Sequence, residues 1–540
     1  MSLVSQPVAD ELHTQVEIGL VQSAPDHVEH PDAEPQLKAG AHEPGRLLRN
    51  IAALFGAQLV TWTMTLLWTL VVPRLIGPAQ MGVVQTAISI TGMFGVLTGL
   101  ASSGYLVREM VMSPNDSEQL LATSLVIKLL LAPLIIGGGV AFVLLAHYGH
   151  EQRVAVYFAA VLSVGGLIID AQTGAFQSRE QMHYPALGTV VNKSGQSVLG
   201  IGAAVLGLGA LGIVANMALI TLVVVFLQFL WLRRLMRISL KTNLRRVLKM
   251  AKRSSTFLAS GLFFTFYLWI DSVLLSLMTN ARTVGWYAVS TTLVTTFMFL
   301  PSVLVTSWLP RFVSAARESQ RSLFATARAP VELLVVLSAP IAGGVIMGAH
   351  LAIKLLYGPG FGPAAPVIIA LAFCIPPTYF NMMMVQVYIA SGRQVVSMWL
   401  MAGAAIVNPL MNLALIPWAT ARYHNGAVGA AIALDLTELL IAAASIVIFG
   451  RQILDRPALK RAALATCATV WMWAVASGLR PLGESVGLAA GGLIFGLLAY
   501  VFRIPTDSEI QFMRRALARV GQRFLPSSVQ HRRAASQEAN

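Results

Sequence analysis

Uncharged apolar tracts of spanning length recur along this sequence, and few folds can accept them. The run 51–72 carries no charged residue, nor does the run 211–232. A helix crossing a bilayer needs about 20 predominantly apolar residues. A membrane barrel would instead show segments of roughly ten residues with alternating polarity. Charged residues make up 11% of the chain and hydrophobic ones 56%, whereas soluble domains carry about 25% charged residues. So much apolar surface cannot be hidden from water. The expectation is an all-α polytopic membrane protein of about fourteen transmembrane helices. The tracts fall at 49–72, 82–106, 120–146, 154–173, 187–207, 211–232, 256–278, 286–309, 329–349, 365–389, 395–416, 426–450, 460–479 and 485–503.

Orientation follows from the stretch Arg233–Arg253, which holds nine Lys or Arg and no acid. A run this basic otherwise suggests nucleic acid or an acidic partner. Between spans it is held on the cytoplasmic side instead, because Lys and Arg resist translocation. With fourteen spans both termini are then cytoplasmic. Thirty of the 38 bases fall in inside segments, six (Arg74, Arg153, Arg282, Lys354, Arg422 and Arg480) fall in outside loops, and Lys128 and Lys193 lie within spans. A miscounted span would invert later loops and erase this bias. No outside loop has room for a folded domain. The longest, about 350–364, is rich in turn residues.

Residues 1–45 hold eight acids against one base, Lys38, with recurrent proline, a composition expected of a disordered tail. Its histidines, His13, His27, His30 and His42, have no compact metal-site spacing. No cleavable signal peptide is expected. The expected organisation is an acidic cytoplasmic tail (1–45), a six-helix lobe (46–232), a basic linker (233–255), a second six-helix lobe (256–450), two accessory helices (451–503) and a basic amphipathic tail (504–540) suited to an anionic surface. The two lobes look related. Gly82 in PAQMGVVQTA matches Gly285 in ARTVGWYAVS, Asn192 matches Asn408, and GALGIV at 209–214 matches GAVGAA at 426–431, at offsets of 203, 216 and 217. Two parallel repeats about an axis along the membrane normal are a known transporter architecture.

The segment NPLMNLALIPWATARYHNGAVGAAIALDLTE (408–438) resembles a signature of polysaccharide flippases. RNIAALFGAQLV with VVPRLIGPAQMGVVQTA, DSVLLSLMTNARTVGWYAVSTTL (271–293) and LYGPGFGPAAPVIIALAF (356–373) resemble further parts of the same family. The resemblance is to the Wzx-type oligosaccharide flippases, within the superfamily that also holds MATE exporters and the lipid II flippase, and it covers 47–503. It implies two six-helix lobes in a V plus two accessory helices. It also implies passage of an undecaprenyl-diphosphate-linked sugar unit across the bacterial inner membrane by alternating access. Partners on this view are the lipid-linked oligosaccharide, membrane lipids and polysaccharide polymerase or export machinery, without nucleic acid or cofactor.

A charge inside hydrocarbon costs on the order of 2.5–3.5 kcal/mol or more and should face a cavity or a partner. Lys128 and Lys193 lie at similar depth, roughly 10–12 Å into their spans at the helical rise. With Arg108 at the inner mouth they are candidates for the lipid diphosphate; snorkelling to the interface is the alternative. Arg74 resembles the arginine of the family's loop between spans 1 and 2, and is a candidate substrate-binding residue, expected as an outer-gate or structural contact. Asp271, and Asp435 with Glu438 three residues apart on one helix face, are candidates for coupling to a proton or Na⁺, or for pairing with a base from the other lobe. Asp170 and Glu332 fit structural roles. Asn192, Asn408 and Asn412 fit interhelical stitching. Pro133, Pro301, Pro376, Pro377 and Pro409 are expected to interrupt helices. Trp62, Trp68, Tyr267, Trp269 and Trp399 can stack on sugar rings or face lipid. Cys374 and Cys467 lie in apolar tracts as packing residues. There is no Walker A loop, HExxH or CxxC, so neither cis ATP hydrolysis nor a catalytic residue is expected. A MATE-type cation or drug antiporter and a lipid II flippase remain compatible. A polymerase or ligase would call for a large extracytoplasmic loop.

Overall fold

The computed structural model describes residues 44–238, 240–502 and 504. The acidic stretch 1–43 with its four histidines, and the basic tail beyond 504, lie outside the described residues. Contacts divide the chain into two units, Met1–Ala52 and Ala53–Asn540; the packing below is that of the second.

The described secondary structure is helical, with no strand. In chain order the helices are α1 Pro44–Met93, α2 Ser103–Met112, α3 Ser117–Leu145, α4 His150–Gln177, α5 His183–Val205 and α6 Gly209–Leu232. After the basic linker come α7 Leu244–Met278, α8 Ala281–Thr296, α9 Phe299–Glu318, α10 Gln320–Leu356, α11 Ala364–Leu371 and α12 Ile375–Ala390. The last four are α13 Gln394–Tyr423, α14 Gly426–Ser445, α15 Arg456–Gly478 and α16 Glu484–Val501. Large hydrophobic side chains stand exposed on many of them, among them Leu130, Leu134, Leu145, Phe226 and Leu493. Such an outer surface is stable only with hydrocarbon as its solvent, and the protein is a multi-pass membrane protein.

Among the described residues, ten helices are long and apolar enough to span, or eleven if the pair α8–α9, bent by 44°, is one span. That is short of the expected fourteen. Neither α5 nor α15 is among the ten, and Gln58–Met112 counts there as one stretch of 55 residues. At ~1.5 Å per residue that stretch would be about 80 Å long, well over twice the hydrocarbon thickness. It is divided at Gly77, where φ is 77° and ψ 172°. Glycine takes that conformation without steric cost, and Pro78, which needs no helical donor, opens the next helix.

The expected proline interruptions are partly wrong. Pro133 and Pro409 sit inside continuous helices. The interruptions occur at Gly77, at Leu100–Ser102, at Phe297–Met298 and at the 3-10 turn Ala372–Cys374, after which Pro376 and Pro377 begin α12. The 350–364 segment is less of a loop than expected: α10 runs to Leu356, a turn covers Pro359–Phe361, and α11 starts at Ala364.

Helix α7 joins both halves of the chain. Near the linker, Val247 and Met250 are buried in a cluster with Leu106, Leu121 and Leu125 from α2 and α3. Further along, Tyr267 is buried with Ala404 of α13 and Ile441 of α14.

Candidate functional site

At the linker end, the helix that continues from Gly77 is broken. A 3-10 segment Phe94–Gly99 ends, Ala101 adopts φ 49°, and α2 starts at Ser103. A break inside a bilayer frees backbone groups that hydrocarbon cannot satisfy. Side chains from three neighbouring helices take them up. Lys128 of α3 donates to the Thr98 carbonyl at 2.8 Å, and Asp170 of α4 accepts from the Ser103 amide at 3.1 Å. Ser124 donates to the Ala101 carbonyl and Ser254 of α7 accepts from its amide, each at 3.0 Å. Lys128 and Asp170 are themselves paired at 3.0 Å, and the lysine side chain is fully buried. Lys128, expected to meet a lipid diphosphate or to snorkel, is therefore spent on the break and its counter-charge. Asp170 and Ser254 complete this clamp.

The two other basic candidates stand apart. Lys193 is exposed on α5, on the same helical stripe as Ser197, which donates to the Met64 carbonyl. Arg108 is exposed on α2. Neither has a hydrogen bond or ion pair among the described residues. Asn192 accepts from Gln196 of its own helix and stitches no second helix.

At the opposite end the two halves meet backbone to backbone. A β-carbon built on Gly82 would overlap the Ala281 carbonyl and lie 3.0 Å from the Gly285 nitrogen; one on Gly285 would overlap the Pro78 carbonyl and lie 3.1 Å from the Gly82 nitrogen. These are the two glycines matched in the sequence repeat. Arg74 reaches the Leu355 carbonyl at the end of α10 at 3.4 Å, and Trp286 donates to the Gly360 carbonyl at 3.2 Å. Only glycine permits this approach.

The acidic candidates lie together in the second half. Asp271 of α7 accepts from Asn412 of α13 at 2.7 Å and from Tyr287 of α8 at 3.0 Å. Asn412 also donates to Asn408. Glu438 of α14 accepts from Tyr267 at 2.9 Å and from Asn381 of α12 at 2.8 Å. Asp435 lies one turn earlier on α14. No Lys or Arg pairs with any of the three carboxyls among the described residues, so the expected alternative of a base from the other half is not realised. Three buried oxygens, Oδ1 of Asn381, Asn412 and Asp435, have no hydrogen-bond donor. No group of three His, Cys, Asp or Glu is close enough to hold a metal ion among the described residues. Tyr287 and Asn381 were not foreseen as partners; an asparagine within an apolar tract is the signal that points to Asn381.

Helices α8 and α9 carry a row of hydroxyls. Thr292, Thr295, Thr296, Ser302, Thr306 and Ser307 each donate to a carbonyl three or four residues earlier on their own helix. Their donors are thus spent, and acceptor lone pairs face outward. Helical spacing puts the row on one side, with Phe299 at its middle, while Pro301, Val305 and Phe312 are buried on the other. Phe299 meets Trp62 of α1 edge to face, centroids 5.2 Å apart. The hydroxyl side is therefore the side turned toward the first half of the chain. Elsewhere, an apolar cavity of about 610 Å³ lies among α10, α12 and α15, with Phe373 and Trp473 exposed on its wall and His350 and Glu484 toward one end. Glu332 and Arg461 pair at 2.6 Å and tie α15 to α10.

Known proteins share the family and the fold of this chain. The family model described as "Polysaccharide biosynthesis protein" matches residues 47–316, half of the chain. The chain belongs to that family. Its fold is shared with two solved membrane proteins. A solved structure of the lipid II flippase MurJ in an inward closed conformation matches with TM-score 0.68 at 11% identity, over 84% of this chain and 98% of that one. An inward-facing multidrug resistance MATE family transporter matches with TM-score 0.55 at 16% identity, over 74% of this chain and 94% of that one. Curated proteins give no match.

Proposed function

We propose that the chain is a flippase that carries an undecaprenyl-diphosphate-linked oligosaccharide repeat unit from the cytoplasmic to the periplasmic face of the bacterial inner membrane, for exopolysaccharide, capsule or O-antigen synthesis. Two lobes, 46–232 and 256–450, alternate access about the linker 233–255, with both termini cytoplasmic. The observation that carries the reading is the hydroxyl row of α8–α9. A surface of outward acceptors complements a cargo rich in O–H donors, which is what a sugar chain offers and an acceptor-only anion does not. Trp62 beside it supplies an aromatic edge for a ring. Lys193 and Arg108, without a hydrogen bond or ion pair among the described residues, are the bases for the diphosphate, and Lys128 supports them from behind by fixing the helix break. Arg74 belongs to the far-end closure. The apolar cavity against α15, open toward lipid, suits a polyprenyl chain. Asp271, Asp435 and Glu438, with no Lys or Arg paired to them among the described residues, are the coupling groups for a proton or Na⁺.

The test is transport in sealed vesicles containing the purified protein and a lipid-linked oligosaccharide on one leaflet. Protein-dependent exposure of the sugar to a lectin on the other side is expected. Exposure equal to that in protein-free vesicles overturns the reading. A second reading, a cation or drug antiporter, is favoured by the buried carboxyls alone; gradient-dependent efflux of a cationic dye from the same vesicles would select it. Rescue of cell-wall synthesis in cells depleted of their own lipid II flippase would select lipid II as cargo.

A further inference from the structure

The basic linker and the start of α7 form a second polar site, about 250 Å³ in volume, between α2, the start of α3 and α7. Arg246, Lys249 and Arg253 line it from one side. Tyr105, Ser113 and Thr123 bring hydroxyls, and Glu109 and Asp116 bring acids. Glu109 is engaged by Arg253 at 4.0 Å, and Thr123 is paired with Thr242 at 2.8 Å. The side chains of Arg246 and Lys249 are exposed and have no partner among the described residues. Two exposed cationic groups thus line a cavity with one acid, Asp116, left to answer them.

The outer face of the same helix explains what kind of anion can reach the cavity. Val247, Met250 and Ser254 bury one side of α7. Leu244 and Leu248, one turn apart, are 71% and 60% exposed on the adjoining side, and Arg245, Lys249 and Lys252 follow round the helix. Leucines that exposed on a helix about to enter the bilayer are at home among acyl chains, and bases next to them sit at the level of lipid phosphates. A site for a soluble anion has no use for the leucines. A merely topological linker has no use for a cavity.

We propose that this cavity binds the phosphate headgroup of a membrane lipid in the leaflet at the linker end, with Arg246 and Lys249 as its principal ligands, Arg253 at the rim, and Leu244 and Leu248 against the lipid's chains. The chemistry is that of a phosphate ester carrying apolar chains. Its source is a resident anionic phospholipid or a polyprenyl diphosphate. The site lies apart from the hydroxyl row and the carboxyl cluster and does not depend on the function proposed above.

The test uses the full-length protein in detergent, with phosphatidylglycerol, phosphatidylcholine and undecaprenyl diphosphate as separate probes, read by native mass spectrometry and by the lipid-dependent shift in Tm. Arg246→Gln/Lys249→Gln is compared with Arg317→Gln/Arg321→Gln, which removes two exposed bases that do not line the cavity. Both pairs are exposed, and size-exclusion profiles check that each variant folds. The site predicts retention of phosphatidylglycerol or undecaprenyl diphosphate over phosphatidylcholine. It also predicts roughly tenfold or greater weakening in the first variant, as expected for loss of a charge-assisted contact, and none in the second. Tighter binding of phosphatidylglycerol assigns a resident lipid, and tighter binding of undecaprenyl diphosphate assigns a polyprenyl ligand. Equal weakening in both variants means diffuse surface charge and overturns the site, as does equal retention of phosphatidylcholine.

Discussion

At the scale of single residues, Lys128 is a fully buried charge whose stability rests on Asp170, 3.0 Å away. Lys128 stood out because a charge in an apolar tract needs a reason. Its partner Asp170 is 42 residues away on another helix, and no helical spacing links the two. In the structure the lysine is fully buried against that carboxylate. Asp170→Asn therefore strands a buried ammonium. Thermal unfolding in detergent should show a loss on the order of 3–5 kcal/mol, much of it regained in Lys128→Met/Asp170→Leu. If Asp170→Asn unfolds like the parent, the pair holds nothing. The glycine contact makes a second test. Any side chain at Gly285 collides with the Pro78 carbonyl, so Gly285→Val should pry that end apart. In a Cys467→Ser background, Arg282→Cys should then react several-fold faster with an impermeant maleimide; an unchanged rate would mean that the end does not open there.

At the scale of elements, spans were legible because a bilayer imposes length and apolarity together, whereas the close approach of Gly82 and Gly285 shows only in the packing. The breaks were less legible. The tract 82–106 reads as one span, yet Gly99-Leu-Ala-Ser-Ser-Gly104 carries a small-residue loop signal, and Ser102 caps α2 by accepting from the Tyr105 amide. Pro133 and Pro409 drew attention to the wrong places, since a helix in a packed bundle can absorb them without interruption. Of the polar partners, Ser254 was invisible, as one serine beside a basic run says nothing of a backbone amide 153 residues earlier. Ser254→Ala leaves that buried amide without an acceptor, at a cost of about 1–3 kcal/mol. Hydrogen exchange at Ala101 should rise sharply while exchange within α3 stays slow. A rise spread evenly over both would argue against a local hinge.

At the scale of the whole molecule, Asp271, Asp435 and Glu438 all belong to helices after the linker, whereas the buried Lys128 and its partner Asp170 belong to helices before it. The proposed coupling groups and the break clamp are thus separated in the chain. Asp271→Asn, Asp435→Asn and Glu438→Gln should each abolish the dependence of transport on an imposed proton or Na⁺ gradient in vesicles, without altering the retention of lipid at the linker cavity. A gradient response that survives all three would move coupling elsewhere. The buried ion pair has a further consequence, for biosynthesis. The ribosome completes the helix bearing Lys128 before it makes Asp170, so the lysine meets the translocon with no counter-ion and must be carried in by its neighbours. Leu129 and Leu130, 44% and 63% exposed in the finished protein, do little for the folded packing, yet they flank the charge at that moment. Each leucine favours membrane insertion by about 0.3–0.6 kcal/mol, against roughly 2.5–3.5 for a lysine at mid-helix. Leu129→Ala/Leu130→Ala should lower insertion of a truncated nascent chain ending before Asp170 and spare the same chain carrying Lys128→Met. The leucines outside and the charge inside would then be two ends of one requirement, set while the protein is half made.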